Sequence, residues 1–303
     1  MSRAMAADEP KTRGEGSASL ADLAFCALQR GLPTRAMSTA MHRLTRLRTP
    51  WLKDAAIRGF VRAFDISLDQ AQIDDPRGFD TFNAFFTRAL KPGMRSPDPD
   101  PDAMLSPCDG DVSQFGRIDH GRIIQAKGHD YNLLELVGGY ADVAEPFADG
   151  CFATIYLAPW HYHRLHMPLT GTLREWIHVP GRLFSVNPAT ARGLPRVFAR
   201  NERVIAIFET AIGPIGMVLV GALFVGSIET VWAGEITPPH RRHEVSRHVP
   251  SAPVSLQRFA EFGRFNMGST VILLTPPGLT WADSLRPRAS LLVGQKIASL
   301  VGQ

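Results

Sequence analysis

The sequence predicts an α+β fold: a helical N-terminal region followed by a mainly antiparallel β core. Three observations lead there. Between residues 20 and 64, apolar side chains recur near helical spacing in stretches broken at Gly31-Leu32-Pro33 and Thr49-Pro50. The segment 92–107 is rich in Pro and Asp and separates two textures. Beyond Met104 come short β-rich runs punctuated by Gly and Pro, too frequent and with too few long helical patterns between them for a doubly wound α/β arrangement.

Taken in order, residues 1–17 are Gly-, Ala- and charge-rich without periodicity and read as a disordered tail. Helices are expected over 20–29, 34–47 and 50–64, and a fourth over 80–90, with Asp80 as its N-cap and Phe82, Phe85, Phe86 and Leu90 on one face. Residues 18–91 thus form the helical region, 92–107 a linker loop and 108–303 the β-rich core. Strands are expected at 152–157, 171–179, 204–209, 217–225, 228–232 and 271–274, with one or two more between 276 and 303.

Composition narrows the class. The chain has 303 residues and is 45% hydrophobic, enough to bury a sizeable core. Its longest apolar stretch, 215–225, is short and interrupted by Gly216 and Gly221, which suits a core strand and not a membrane span. The first twenty residues lack the apolar core of a secretory signal. Cys26, Cys108 and Cys151 are odd in number and widely spaced, against a disulfide framework or a thiolate zinc site.

Net charge is +4, with a pI near 9.2. Residues 20–64 hold eight Arg or Lys against Asp22 and Asp54, a surplus exceeding that of the whole chain. Two readings of these helices stand: their stripes pack on the core, or one lies in a membrane interface, with Trp51 or Phe60 dipping in and cations facing anionic headgroups. Nucleic acid is not expected as a partner, since no aromatic platform or DNA-binding pattern accompanies the charge.

The chemistry-bearing stretch is Met267-Gly268-Ser269-Thr270, set directly before the apolar run Val271-Ile272-Leu273-Leu274. Gly268 has no Cβ, so its carbonyl can be held in a strained turn and approached by the Ser269 hydroxyl, as an N-to-O acyl shift requires. Alone, the tripeptide is equally the signature of a turn. Asp109, in Pro107-Cys108-Asp109-Gly110, is equally an Asx-turn carboxylate. His161, His163 and His166 crowd into six residues, and His161 and His163 share a face of an extended chain. That leaves a metal pair or a hydrogen-bonded cluster open, although no carboxylate stands at the spacing of a zinc motif.

Together with Ser106-Pro107-Cys108-Asp109-Gly110, Gln125-Ala126-Lys127-Gly128-His129, Tyr162-His163-Arg164-Leu165-His166-Met167-Pro168, Phe184-Ser185-Val186-Asn187 and Gly226-Ser227-Ile228-Glu229-Thr230-Val231-Trp232-Ala233-Gly234, this stretch resembles phosphatidylserine decarboxylase proenzymes of the bacterial type. Met267 stands where Leu is usual, and Cys108 where a small residue such as Ala is common. The resemblance implies self-cleavage between Gly268 and Ser269 into a β chain, 1–268, and an α chain, 269–303. Asp109, His166 and Ser269 would act as a triad used once on the protein's own backbone. Ser269 would become a covalent pyruvoyl group that forms a Schiff base with the amine of phosphatidylserine, with no metal or external cofactor. His163 would donate the proton that replaces CO2, and Ser185 would contact substrate. A peripheral place on the cytoplasmic face of the cell membrane, against an anionic surface, and a homodimer of αβ units are also implied. The alternatives are a serine hydrolase built on the same three residues, which lacks the second glycine of a G-x-S-x-G elbow, and a non-catalytic peripheral membrane protein.

Overall fold

The computed structural model describes residues 18–126, 128–224, 227–237 and 244–300. The tail expected over 1–17, Lys127 in the Gln125–His129 motif and Gly226 lie outside the described residues.

The helical region forms as expected, with shifted ends. Helix α1 spans Leu20–Gly31 and opens on a reciprocal cap, Ser19 Oγ accepting from Asp22 N–H and the Asp22 carboxylate from Ser19 N–H, each at 3.1 Å. Helix α2 is Thr34–Leu44 and α3 is Pro50–Phe64. The fourth helix is shorter than expected: α4 covers only Phe82–Phe86, starting after Thr81, not Asp80, with Thr81 Oγ1 accepting from Ala84 N–H, and stopping before Thr87, four residues early. Its phenylalanines join Phe60 of α3 in edge-on ring contacts, so Phe60 belongs to an internal aromatic cluster.

Helix α1 sits inside out. Asp22, Cys26 and Gln29 face the protein, whereas Leu20 and Leu28 are 86% and 63% exposed. The buried side is held by polar bonds, Asp22 to the Arg192 guanidinium at 3.1 Å and Gln29 to Thr190 Oγ1 at 3.2 Å. Gly193 admits the helix, since a Cβ there would stand 2.9 Å from Cys26 Sγ.

The β region is built on a nine-stranded antiparallel sheet. At its centre Ser269–Thr275 is paired with Gly213–Val220 on one side and Cys151–Leu157 on the other. The run is continuously apolar because both faces are covered: Val271 and Leu273 enter one core, Ile272 and Leu274 the other. A four-stranded sheet places Glu261–Phe265 between Ile228–Thr230 and Arg164–His166. Within the stretch read as a linker, Ala103–Leu105 forms a strand paired with Lys296–Leu300, which ties that stretch into the β region. The C-terminal segment supplies three strands, Leu279–Trp281, Ser290–Leu291 and Lys296–Leu300.

Candidate active site

Residues Asn266 to Gly268 are the step between two sheets. Glu261–Phe265 ends the small one, and Ser269 opens the central strand of the large one. The entry is pinned by Phe265 N–H donating to the His163 carbonyl at 3.0 Å and by Asn266 N–H donating to the Ser227 carbonyl at 3.0 Å. The exit is pinned by the register of Ser269 with Leu157. Gly268 is not in the left-handed region, and a Cβ on it would meet Leu157 O at 3.5 Å and His163 Nε2 at 3.9 Å, ordinary contact distances. The expected strained turn is therefore absent; the backbone is positioned by pairing on either side.

Among the described residues, three buried polar atoms at this step have no hydrogen-bond partner: Ser269 Oγ, Thr270 Oγ1 and His163 Nε2. All three residues are fully buried. Leaving such a group unpaired costs about 1–3 kcal/mol, and reactive sites are where folds carry that cost. The His163 ring is oriented from behind. Its Nδ1 lies 2.8 Å from the His161 carbonyl, which can only accept, so the hydrogen is on Nδ1 and Nε2 presents a lone pair. The Phe86 ring packs against it at 4.2 Å. Burial pushes His163 down to about 3, with the neighbouring Arg88 and His161 adding to the effect.

His166 is held differently. Its Nδ1 donates to the Phe259 carbonyl at 2.7 Å, and its Nε2 accepts from the Tyr162 hydroxyl at 3.2 Å. Burial pushes Tyr162 up to about 12, so that hydroxyl keeps its proton. Burial also lowers His166. Asp109 is gripped by the Arg95 guanidinium, at 3.0 and 2.5 Å, and by Val293 N–H at 2.8 Å. No hydrogen bond joins Asp109 to His166, or His166 to Ser269, among the described residues. His161 points its Nδ1 at Ala158 N–H, 3.0 Å away, and no group of three His, Cys, Asp or Glu among the described residues gathers to hold a metal. The three cysteines are free and buried.

Ser185 shares a cavity of about 320 Å³ with Tyr156, Asn187, Met267, Gly268 and Ser269. Its N–H is tied to Gln29 of α1, and its Oγ accepts from Asn187 N–H. A second cavity of about 320 Å³, lined by Met41, Leu44, Leu52 and Ala56 of α2 and α3, shares Phe60, Phe224 and Met267 with the first. The sequence reading missed Arg95, this second cavity and the site roles of Tyr162 and Phe86, which it named only as part of a motif and of a helix face.

Residues 82–299 match the family model described as phosphatidylserine decarboxylase, and residues 24–65 match one described as PSD. The chain is 50% identical over 279 residues to the phosphatidylserine decarboxylase proenzyme of Stutzerimonas stutzeri, covering 91% of this chain and 94% of that protein. It is 50% identical over 281 residues to that of Bordetella avium, covering 92% and 96%. To that of Alkalilimnicola ehrlichii it is 54% identical over 263 residues, covering 86% and 91%. Likeness of this depth, running through both the helical and the β regions, means that the chain belongs to the phosphatidylserine decarboxylase family.

Proposed function

We propose that the chain is a proenzyme that cuts itself between Gly268 and Ser269, and that the product converts phosphatidylserine to phosphatidylethanolamine and CO2. The observation that carries this reading is the buried, unpartnered Ser269 Oγ at the step between sheets, with the bare Nε2 of His163 beside Gly268. The word proenzyme in the relatives' names supports the cut.

Attack of Ser269 Oγ on the Gly268 carbonyl, with the hydroxyl proton passing to an imidazole, breaks the amide and forms an ester, freeing the amine of residue 269. Loss of the Cα proton then expels the Gly268 carboxylate and leaves dehydroalanine. Water converts that to a ketone and releases ammonia. In this reading His166 takes the first proton and Asp109 biases the imidazole, after His166 gives up its bond from Tyr162. A second reading has His163 take that proton, favoured by its unoccupied lone pair.

A pyruvoyl ketone at residue 269 supplies an electron sink for the charge left when the Cα–CO2 bond breaks. The site suits it, because Ser269 opens into a cavity where Ser185 and Asn187 offer polar contacts. His163 would take a proton on its Nε2 lone pair from the substrate ammonium as that amine condenses with the ketone, and return it to the carbon that loses CO2. The apolar cavity between α2 and α3 suits the acyl chains of a diacyl substrate. No described helix is long and apolar enough to cross a membrane. The outward leucines of α1 support a peripheral place on a membrane, which this reading puts on the cytoplasmic face against an anionic surface.

Intact-mass measurement of the purified protein tests the proposal. Two pieces are expected, 1–268 and 269–303, the second blocked at its N-terminus, while Ser269→Ala stays whole and releases no CO2. A wild-type chain that remains one unmodified piece yet releases CO2 from phosphatidylserine overturns it.

A further inference from the structure

At the C-terminal end of α1 stand three exposed arginines, Arg30, Arg182 and Arg200. The guanidinium carbons of Arg182 and Arg200 each lie 5.3 Å from the centre of the same Phe184 ring. Arg182 also donates to the Arg30 carbonyl at 3.3 Å, which ties the group to the helix. Arg196, nearby, is paired with Glu135 at 2.7 Å. Arg30, Arg182 and Arg200 form no ion pair among the described residues. Arg200 is disfavoured as a cation by burial and then by Arg30, Arg196 and Arg182. Positive groups held together without a counter-charge are an arrangement that an anion relieves, and the planar guanidinium matches phosphate oxygens two at a time.

The feature next to this cluster selects the kind of anion. The apolar side of α1, with Leu20, Leu23 and Leu28, faces outward and ends at the arginines. A soluble anion or an acidic protein gives that side nothing to do, whereas a leaflet of anionic phospholipid covers both. We propose that Arg30, Arg182 and Arg200 form a seat for the phosphate of an anionic lipid, separate from the reaction cavity, with the outer side of α1 in the same leaflet. Phe184 precedes Ser185, which lines that cavity, so the seat holds the cavity mouth against the lipid headgroups. This inference rests on the peripheral lipid enzyme proposed above.

Binding to sedimentable vesicles of phosphatidylcholine, with and without an equal part of phosphatidylglycerol, tests it. The double variant Arg182→Gln/Arg200→Gln is expected to lose on the order of tenfold in affinity for the mixed vesicles and nothing for the neutral ones. Arg182→Lys/Arg200→Lys keeps most of the preference. Arg30→Glu, at a side chain that makes no hydrogen bond or ion pair among the described residues, gives a loss of the same sign if the double variant does not fold. Equal affinity of variant and parent for mixed vesicles overturns the seat, and so does an equal loss on both kinds. CO2 release by the parent, measured alongside, reports separately on the proposed reaction.

Discussion

His163 and His166 lie three residues apart, and each gives its Nδ1 hydrogen to a backbone carbonyl, yet the two ends of that short stretch are opposites. On the His166 side the ring and Asp109 are both engaged: Tyr162 on Nε2, and Arg95 and Val293 on Asp109. On the His163 side Nε2 and Ser269 Oγ are both bare and fully buried. The comparison puts two unpartnered atoms beside Gly268 and a hydrogen-bonded frame at the His166 end.

The sharpest way to break this contrast is to remove each ring. If His166 is the base for self-cleavage, His166→Ala leaves the precursor whole on a denaturing gel, slowed by about a hundredfold to ten-thousandfold. His163→Ala is then still cut, but its product releases no CO2. The reverse pattern, with His163→Ala uncut and His166→Ala processed, transfers the base to His163.

The second effect is on stability, measured as Tm against pH in a Ser269→Ala background so that the chain remains one piece. His163 is lowered from 6.5 to about 3 in the folded state, so as pH falls the unfolded chain takes up the proton first. Its contribution is whole above about pH 6.5 and lost progressively between about 6.5 and about 3. His166 is lowered too and acts in the same direction. His163→Gln should flatten the acid limb by a few degrees; an unchanged limb shows that the ring is not buried as a neutral base.

The smallest effect expected is that of Tyr162→Phe. Removing the hydroxyl costs one hydrogen bond, about 1 kcal/mol, but frees the His166 lone pair. If His166 serves the cut, processing quickens by up to about fivefold, visible in a time course of precursor loss. Slower processing assigns Tyr162 a supporting part instead.

Much of the fold was legible because its cues are local. The apolar run after Gly268 starts its strand at Ser269, and the breaks at Gly31-Leu32-Pro33 and Thr49-Pro50 fall where α1 gives way to α2 and where α3 begins. What was not legible depends on partners distant in the chain. The Phe259 carbonyl on His166 has no side-chain signature at all, and Arg95 is one cation among many until folding brings it to Asp109. The amphipathic pattern of the N-terminal helices was visible, but periodicity does not say which side faces the protein. In α1 the polar side is inside because Thr190 and Arg192 wait for it there.

The placement of Ser269–Thr275 between two hydrogen-bonded neighbours has one last consequence. A cut at Gly268 severs connectivity and leaves packing alone, for the short piece is threaded through the middle of one sheet and contributes Lys296–Leu300 to another. Its strands at Ser269–Thr275 and Lys296–Leu300 are each held on both sides, while Leu279–Trp281 and Ser290–Leu291 lie at sheet edges. The peptide link thus serves the molecule as scaffolding serves an arch: indispensable while the strands are being laid, redundant once the keystone is in.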